Sequence, residues 1–168
     1  MRIKFVLIAF ILATLLAGNA QAASITITLD RTTLSGNPGQ TVAFFGTIMN
    51  TSSDTIYLND VDFNLAGTGF SSNAQDRFFS NVPLFLNPHS SSGDIELFDV
   101  TLLKPFTDPL GTYAGTYTLT GGLDGSADEV LALVGFSVAA VPEPSSVLLL
   151  FSGLAGLAVM MRRRRTTQ

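Results

Sequence analysis

From Ser24 to Ala140, apolar and polar residues alternate in short runs, and each run ends in a cluster of Gly, Pro, Asn, Ser or Asp. A period of two places one set of side chains on one face of an extended chain, whereas a helix needs apolar residues three and four apart. Ile25, Ile27 and Leu29 share a face of the first run, which Ser35-Gly36-Asn37-Pro38-Gly39 ends with turn chemistry. The second run groups Val42, Phe44, Gly46 and Ile48 before Asn50-Thr51-Ser52-Ser53-Asp54 turns the chain. In the third, Ile56 and Leu58 hold even positions while Val61, Phe63 and Leu65 hold odd ones. Both sets face one core only if a residue near Asn59-Asp60 bulges out of the strand.

The pattern continues downstream with Phe98, Val100 and Leu102, then Tyr113, Tyr117 and Leu119, then Val134, Phe136 and Val138. Ser71 to Gln75 and Ser90 to Gly93 read as loops around Val82 to Leu86, where Pro83 marks an edge strand, and Gly121 through Asp128 reads as another loop. No window of adequate length has a helical period. The expectation is an all-β domain of about seven strands, a two-sheet sandwich of the immunoglobulin or fibronectin-III kind, with a jelly roll or single-sheet barrel as rivals. With no Cys, such a domain is held by its apolar core alone.

The two ends carry addresses. Residues 1–22 have the order of a secretory signal peptide: cationic Arg2 and Lys4, an apolar stretch from Phe5 to Gly18, and the small residues Ala20 and Ala22 placing cleavage before Ala23. An N-terminal signal helix handled by the Sec export machinery is expected. The other end, residues 141–168, has three parts in sequence: Pro142-Glu143-Pro144, an apolar stretch expected to form a transmembrane helix over 146–161, and the basic tail Arg162, Arg163, Arg164 and Arg165. The prolines hold their segment extended and accessible. The arginines stay on the cytoplasmic side of the lipid by the positive-inside rule, which leaves residues 23–140 outside, in agreement with the signal peptide.

That three-part tail resembles the PEP-CTERM sorting signal of exopolysaccharide-producing Gram-negative bacteria, with Pro142, Glu143 and Pro144 as its motif. The resemblance implies that the tail is recognised by an exosortase, a membrane protease-transpeptidase, and cut near the motif. It implies further an inner-membrane precursor with a periplasmic ectodomain, passed on to the cell surface or to an exopolysaccharide matrix. The segments Pro38-Gly39-Gln40-Thr41-Val42 to Asn50 and Gly111-Thr112-Tyr113 to Leu119 resemble Ig-like ectodomains of bacterial surface proteins, which bears on fold only. Tyr113 stands where a tyrosine-corner residue would bond back to the chain before its strand.

The composition leaves little chemistry for the middle. Residues 23–141 hold twelve Asp/Glu against Arg31, Arg77 and Lys104, a balance unsuited to nucleic acid. The single histidine, His89, sits among Asn87, Pro88 and three serines, the composition of a loop. Asp60, Asp62, Asp94, Glu96 and Asp99 supply acids for glycoside hydrolysis, but alternating acids on strands mark a solvated face. Asp60-x-Asp62-x-Asn64 opens like a calcium loop, then fails at Leu65, where glycine is required, and at Ser71, where an acid is. Asp124, Asp128 and Glu129, in a loop, are the better calcium candidates. Asn50-Thr51-Ser52 matches a glycosylation acceptor, a pathway the C-terminal signal argues against.

The expectation is a non-enzymatic exported protein without cofactor or resident metal. The alternatives are a carbohydrate-binding module, with Tyr57, Tyr113, Tyr117 and exposed Phe as stacking rings, and a plain single-pass membrane-anchored adhesin.

Overall fold

Alternating side chains sort the strands into two sheets that share one core. The computed structural model describes residues 25–142, 148–155 and 157. In chain order the elements are β1 (Ile25–Leu29), β2 (Thr33–Gly36), β3 (Thr41–Asn50), β4 (Ile56–Leu65), β5 (Phe70–Ser72), α1 (Ala74–Asn81), β6 (Phe85–Leu86), β7 (Ser91–Leu102), β8 (Gly111–Gly122) and β9 (Glu129–Ala140). One sheet runs β1-β3-β7-β5 and the other β2-β9-β8-β4-β6. Neighbouring strands are antiparallel except β2 and β9.

Phe98 joins the sheets. Its ring stacks on Phe44 at 4.7 Å within the first sheet and meets Phe136 at 4.7 Å, Tyr117 at 5.1 Å and Phe63 at 5.4 Å from the second. Aromatic pairs in such offset and edge-on geometries each add about 0.5–1.5 kcal/mol beyond area burial. In a chain without Trp or disulfide, this cluster is the centre of the core.

The expected bulge is present: Leu58 pairs with Gly121 but Asp60 with Thr120, so Asn59 is the extra residue and both apolar sets of β4 turn inward. Three further register shifts went unforeseen, one of them where Thr47 pairs with Asp94 but Met49 with Ser91. Phe45 pairs with Glu96 and Phe44 with Phe98, which leaves Leu97 unopposed and buries it together with Phe98. In β9, Thr120 pairs with Val130 and Leu119 with Ala132, so Leu131 turns inward and Val130 out.

Four stretches depart from the sequence reading, one of them Gly121-Gly122, which ends β8 and does not open the loop after it. The first run does not end at the turn: after Leu29 the chain changes sheets, and Thr33–Gly36 pairs parallel to Ser137–Ala140. Ser71 to Gln75 is no loop but the end of β5 and the start of α1, whose Ala74 and Phe78 are buried at helical spacing. Ser91 to Gly93 already belongs to β7, while Phe85–Leu86 is the edge strand that Pro83 announced. Helix α1 connects β5 at the edge of one sheet to β6 at the edge of the other and so closes that side of the sandwich. It stands in for a strand beside β7: Asn81 Nδ2 donates to the Glu96 carbonyl at 2.9 Å, and Arg77 Nε lies 3.0 Å from the buried Asp99 carboxylate and 3.1 Å from Glu96.

The described chain enters and leaves at opposite ends. Ile25 pairs with Asn50 at the entry end, which also carries the loops 51–55, 87–90 and 123–128. Ala140 pairs with Gly111 and Gly36 at the exit end, beside the loops 37–40, 66–69 and 103–110. The exit loops are tied by Asp108, whose carboxylate accepts the Thr68 and Gly69 amides at 2.6 and 2.7 Å and the Thr68 hydroxyl at 2.9 Å. Tyr113 donates its hydroxyl to the Pro109 carbonyl, four residues before it in the chain.

Candidate functional site

Strand β9 ends at Ala140 on the boundary of the C-terminal signal. The Val141 amide still donates to the Gly36 carbonyl at 3.0 Å, but Val141 and Pro142 are exposed and belong to no strand. Pro142 explains the break, since it offers no N–H to a ladder and restrains Val141 to an extended backbone. Residues 148–155 and 157 are helical and expose Leu148, Leu149, Leu150, Phe151, Leu154 and Leu157. Among the described residues no helix is long and apolar enough to cross a membrane. The rest of the helix expected over 146–161 lies outside them, as do Ala20, Ala22, Ala23, Glu143, Pro144 and Arg162 to Arg165.

The calcium candidates do not assemble. Asp124 Oδ1 is occupied by the Ser126 amide at 2.8 Å and the Ser126 hydroxyl at 2.7 Å, a self-contained turn that holds its carboxyl below the ordinary range, while Asp128 and Glu129 are exposed. Among the described residues no three acids or histidines converge. His89 is an exposed loop residue: at φ 54° it takes the position after Pro88 in the turn that the Ser90 amide closes on the Asn87 carbonyl. The acids considered for hydrolysis fall on separate sheets, Asp60 and Asp62 on β4 and Asp94, Glu96 and Asp99 on β7, the last two bound to Arg77. Asn50 is fully buried, which removes it as a glycosylation acceptor.

The three tyrosines separate in space. Tyr117 is in the core, Tyr113 is at the exit end, and Tyr57 borders a cavity. That cavity, a groove of about 430 Å³, opens between α1, β4, β6 and the loop after β8 and is lined chiefly by Tyr57, Asn59, Phe79, Leu84, Phe85 and Gly125. It exists because β6 is only two residues long: it pairs with Ile56 and Tyr57 and then leaves the rest of β4 to α1. Phe79 is 65% exposed and Leu84 76%. The Tyr57 and Phe85 rings lie 5.8 Å apart at 51°. Asn59, the bulged residue, donates its amide to the carbonyls of Asp124 at 2.9 Å and Ala127 at 2.7 Å and so fixes the groove's wall against that loop. Apart from Tyr57, and Asn59 as the place of the bulge, these residues were not singled out from the sequence, although the Phe78-Phe79 and Leu84-Phe85 pairs put one more large apolar side chain in each place than a single inward face can take.

The tail is decided by a family model for the PEP-CTERM protein-sorting motif, which matches residues 140–165 and therefore begins at the last residue of β9. The chain carries a PEP-CTERM sorting signal. Such a signal implies an exported chain with a membrane-anchored precursor, processed by an exosortase and sorted to the cell surface. No curated protein matches the chain.

Among solved structures, a Salmonella alpha-2-macroglobulin mutant is similar at 18% identity and a TM-score of 0.48, over 72% of this chain and 7% of that one. Native alpha-2-macroglobulin from Escherichia coli follows at 18% and 0.47, over 72% of this chain and 17% of that one. A secreted serine protease from Vibrio cholerae is 12% identical with a TM-score of 0.45, over 79% of this chain and 26% of that one. This chain thus spans well under two-thirds of each, and at such scores none bears on what the domain behind the PEP-CTERM signal does.

Proposed function

We propose that this is a non-enzymatic protein of the cell surface or extracellular matrix, exported through residues 1–22, built on an immunoglobulin-like ectodomain over 23–140, and released or transferred when an exosortase acts at Pro142-Glu143-Pro144. The observation that carries this reading is the PEP-CTERM match over residues 140–165, directly behind a finished domain. The exposed, strand-free Val141 and Pro142 suit a segment that a membrane enzyme has to grip. A transmembrane helix over 146–161 holds the precursor, with Arg162 to Arg165 in the cytoplasm.

Strand order supports the immunoglobulin kinship: β1-β3-β7-β5 and β9-β8-β4 repeat the ABED and GFC sheets. Tyr113, near the start of the strand equivalent to F, bonds back to Pro109 as a tyrosine corner does. Association with exopolysaccharide then follows from covalent transfer at the processed end or from a sugar site on the domain, because the acidic middle repels anionic polymer.

The test is intact mass and cell fractionation in the native host, wild type beside Glu143→Ala. The expected result is a wild-type ectodomain ending near Val141 to Pro144 and a variant kept full-length in the inner membrane. If both chains retain Arg165 and stay membrane-bound, the protein is a single-pass anchor and the reading is wrong.

A further inference from the structure

The groove beside α1 combines three features that specify a ligand. The first is aromatic surface: Tyr57, Phe79 and Phe85 are all at least a third exposed and gather on one groove, whereas Phe44 and Phe98 are buried in the core. Faces of this kind stack on the apolar side of a sugar ring and attract cations through the ring quadrupole. The second is a fixed acceptor. Because two carbonyls consume the Asn59 amide, its Oδ1 is held in place with only accepting capacity, suited to a ligand hydroxyl or ammonium.

The third feature is charge. No lining residue is charged, but Asp60 follows Asn59, Asp124 precedes Gly125, and Asp76 stands one helical turn before Phe79. The cation on the same helix, Arg77, is taken by Asp99 and Glu96. An anionic polymer is therefore repelled. A second copy of this chain would bring the same three acids against these, which disfavours self-association through the groove. A cationic ligand with a flat apolar face satisfies all three features.

We infer that the groove binds amine-bearing sugar residues of a polysaccharide, the ring face lying on Tyr57 and Phe85 and the ammonium group directed to the acidic rim. The site does not depend on how the tail is processed. Its position suits presentation to a polymer outside the cell: the groove borders the loop before β9, and β9 runs twelve residues to the exit end, about 40 Å at about 3.3 Å per residue.

The test titrates the full-length protein in detergent with a glucosamine hexamer, its N-acetylated counterpart, a uronate hexamer and a lysine hexapeptide, by calorimetry at low and raised salt. Saturable binding of the glucosamine hexamer, weakened by salt, is expected, with no comparable binding of the acetylated or uronate sugars. Phe85→Ala is expected to weaken it about tenfold, an aromatic stacking and cation–π loss. Phe79→Ser, at a position too exposed to affect folding, should weaken it in the same direction, and Tyr57→Phe should preserve it. The inference is overturned by no saturable binding of the glucosamine hexamer, by equal binding of the acetylated sugar, by lysine peptide binding as tightly, or by Phe79→Ser without effect. It is also overturned if sedimentation shows a dimer that Phe79→Ser dissociates, since the occupant would then be a second copy.

Discussion

Asn50 Nδ2 donates to the Leu86 carbonyl at 3.0 Å, a bond that ties the last residue of β3 to the edge strand of the opposite sheet. The same amide reaches the carbonyls of Asp54 at 2.8 Å and Asn87 at 3.1 Å, while Oδ1 accepts from the Ser52 amide at 2.9 Å and hydroxyl at 2.8 Å. One fully buried side chain thereby satisfies two loops that have no strand to pair with.

Replacing it removes partners from several buried groups at once. Asn50→Ala is expected to cost about 3 kcal/mol, at the upper end of what a buried unsatisfied polar group costs. Ser52→Ala, which leaves the three carbonyl bonds intact, should cost about 1 kcal/mol. Urea unfolding checks both: the midpoint falls in that order while the slope stays constant.

Tyr117 presents the opposite case. Its ring belongs to the core cluster, but its hydroxyl is buried and has no hydrogen-bond partner among the described residues. Tyr117→Phe keeps the ring and removes the orphan, so stability should rise by about 1 kcal/mol. A second signature follows from burial, which pushes the phenol above its ordinary 10.0. The unfolded chain releases that proton first, so wild-type stability is unaffected by this group's ionisation below pH 10.0 and falls as pH rises from there toward the folded value. Alkaline melts of the two proteins should therefore diverge further above that pH, and parallel curves would refute the assignment.

Acid acts at the exit end. The Gly69 amide, then the Thr68 hydroxyl and amide, favour the Asp108 anion and draw its carboxyl below the ordinary 3.8. The folded chain binds this proton less tightly than the unfolded one, so the stabilisation is complete well above pH 3.8 and disappears as pH falls through that value toward the lower folded one. Asp108→Asn should lower the melting temperature at neutral pH and flatten its decline on acidification. Asp124, held down by Ser126, leaves a residual slope of the same sign.

How much of this was legible depends on whether a residue's neighbours contradicted one another. The bulge at Asn59 could be read because Leu58 and Val61 demand opposite phases, and only an extra residue reconciles them. The bulge at Leu131 could not, because Val130 continues the even phase of Val134, Phe136 and Val138, and nothing in the sequence says that it faces out. Helix α1 was hidden by its length: Ala74, Phe78 and Val82 keep helical spacing, but eight residues are too few for a period to stand out, and Phe79 obscures it. The groove inherits that blindness, since Phe79 and Phe85 reach Tyr57 only through a helix that the pattern did not reveal. The sorting signal was legible throughout, because its information lies in the order of three short segments and not in a fold.

Glycine spacing gives the most direct test of the strand register. At Gly121 an added Cβ would lie 2.0 Å from the Tyr57 carbonyl oxygen, a backbone atom of the neighbouring strand that has no freedom to retreat. The contact lies beside the bulge of β4, where Leu58 pairs with Gly121. Gly121→Ala should therefore destabilise by about 3 kcal/mol, the upper range for overpacking, or prevent folding. Gly111, at the start of the same strand, has nothing within 4 Å of the equivalent position, and Gly111→Ala should melt within a few degrees of wild type. Equal tolerance at both positions would mean that β4 and β8 pair in another register, and with it the inward placement of Leu58 and Val61 would have to be abandoned.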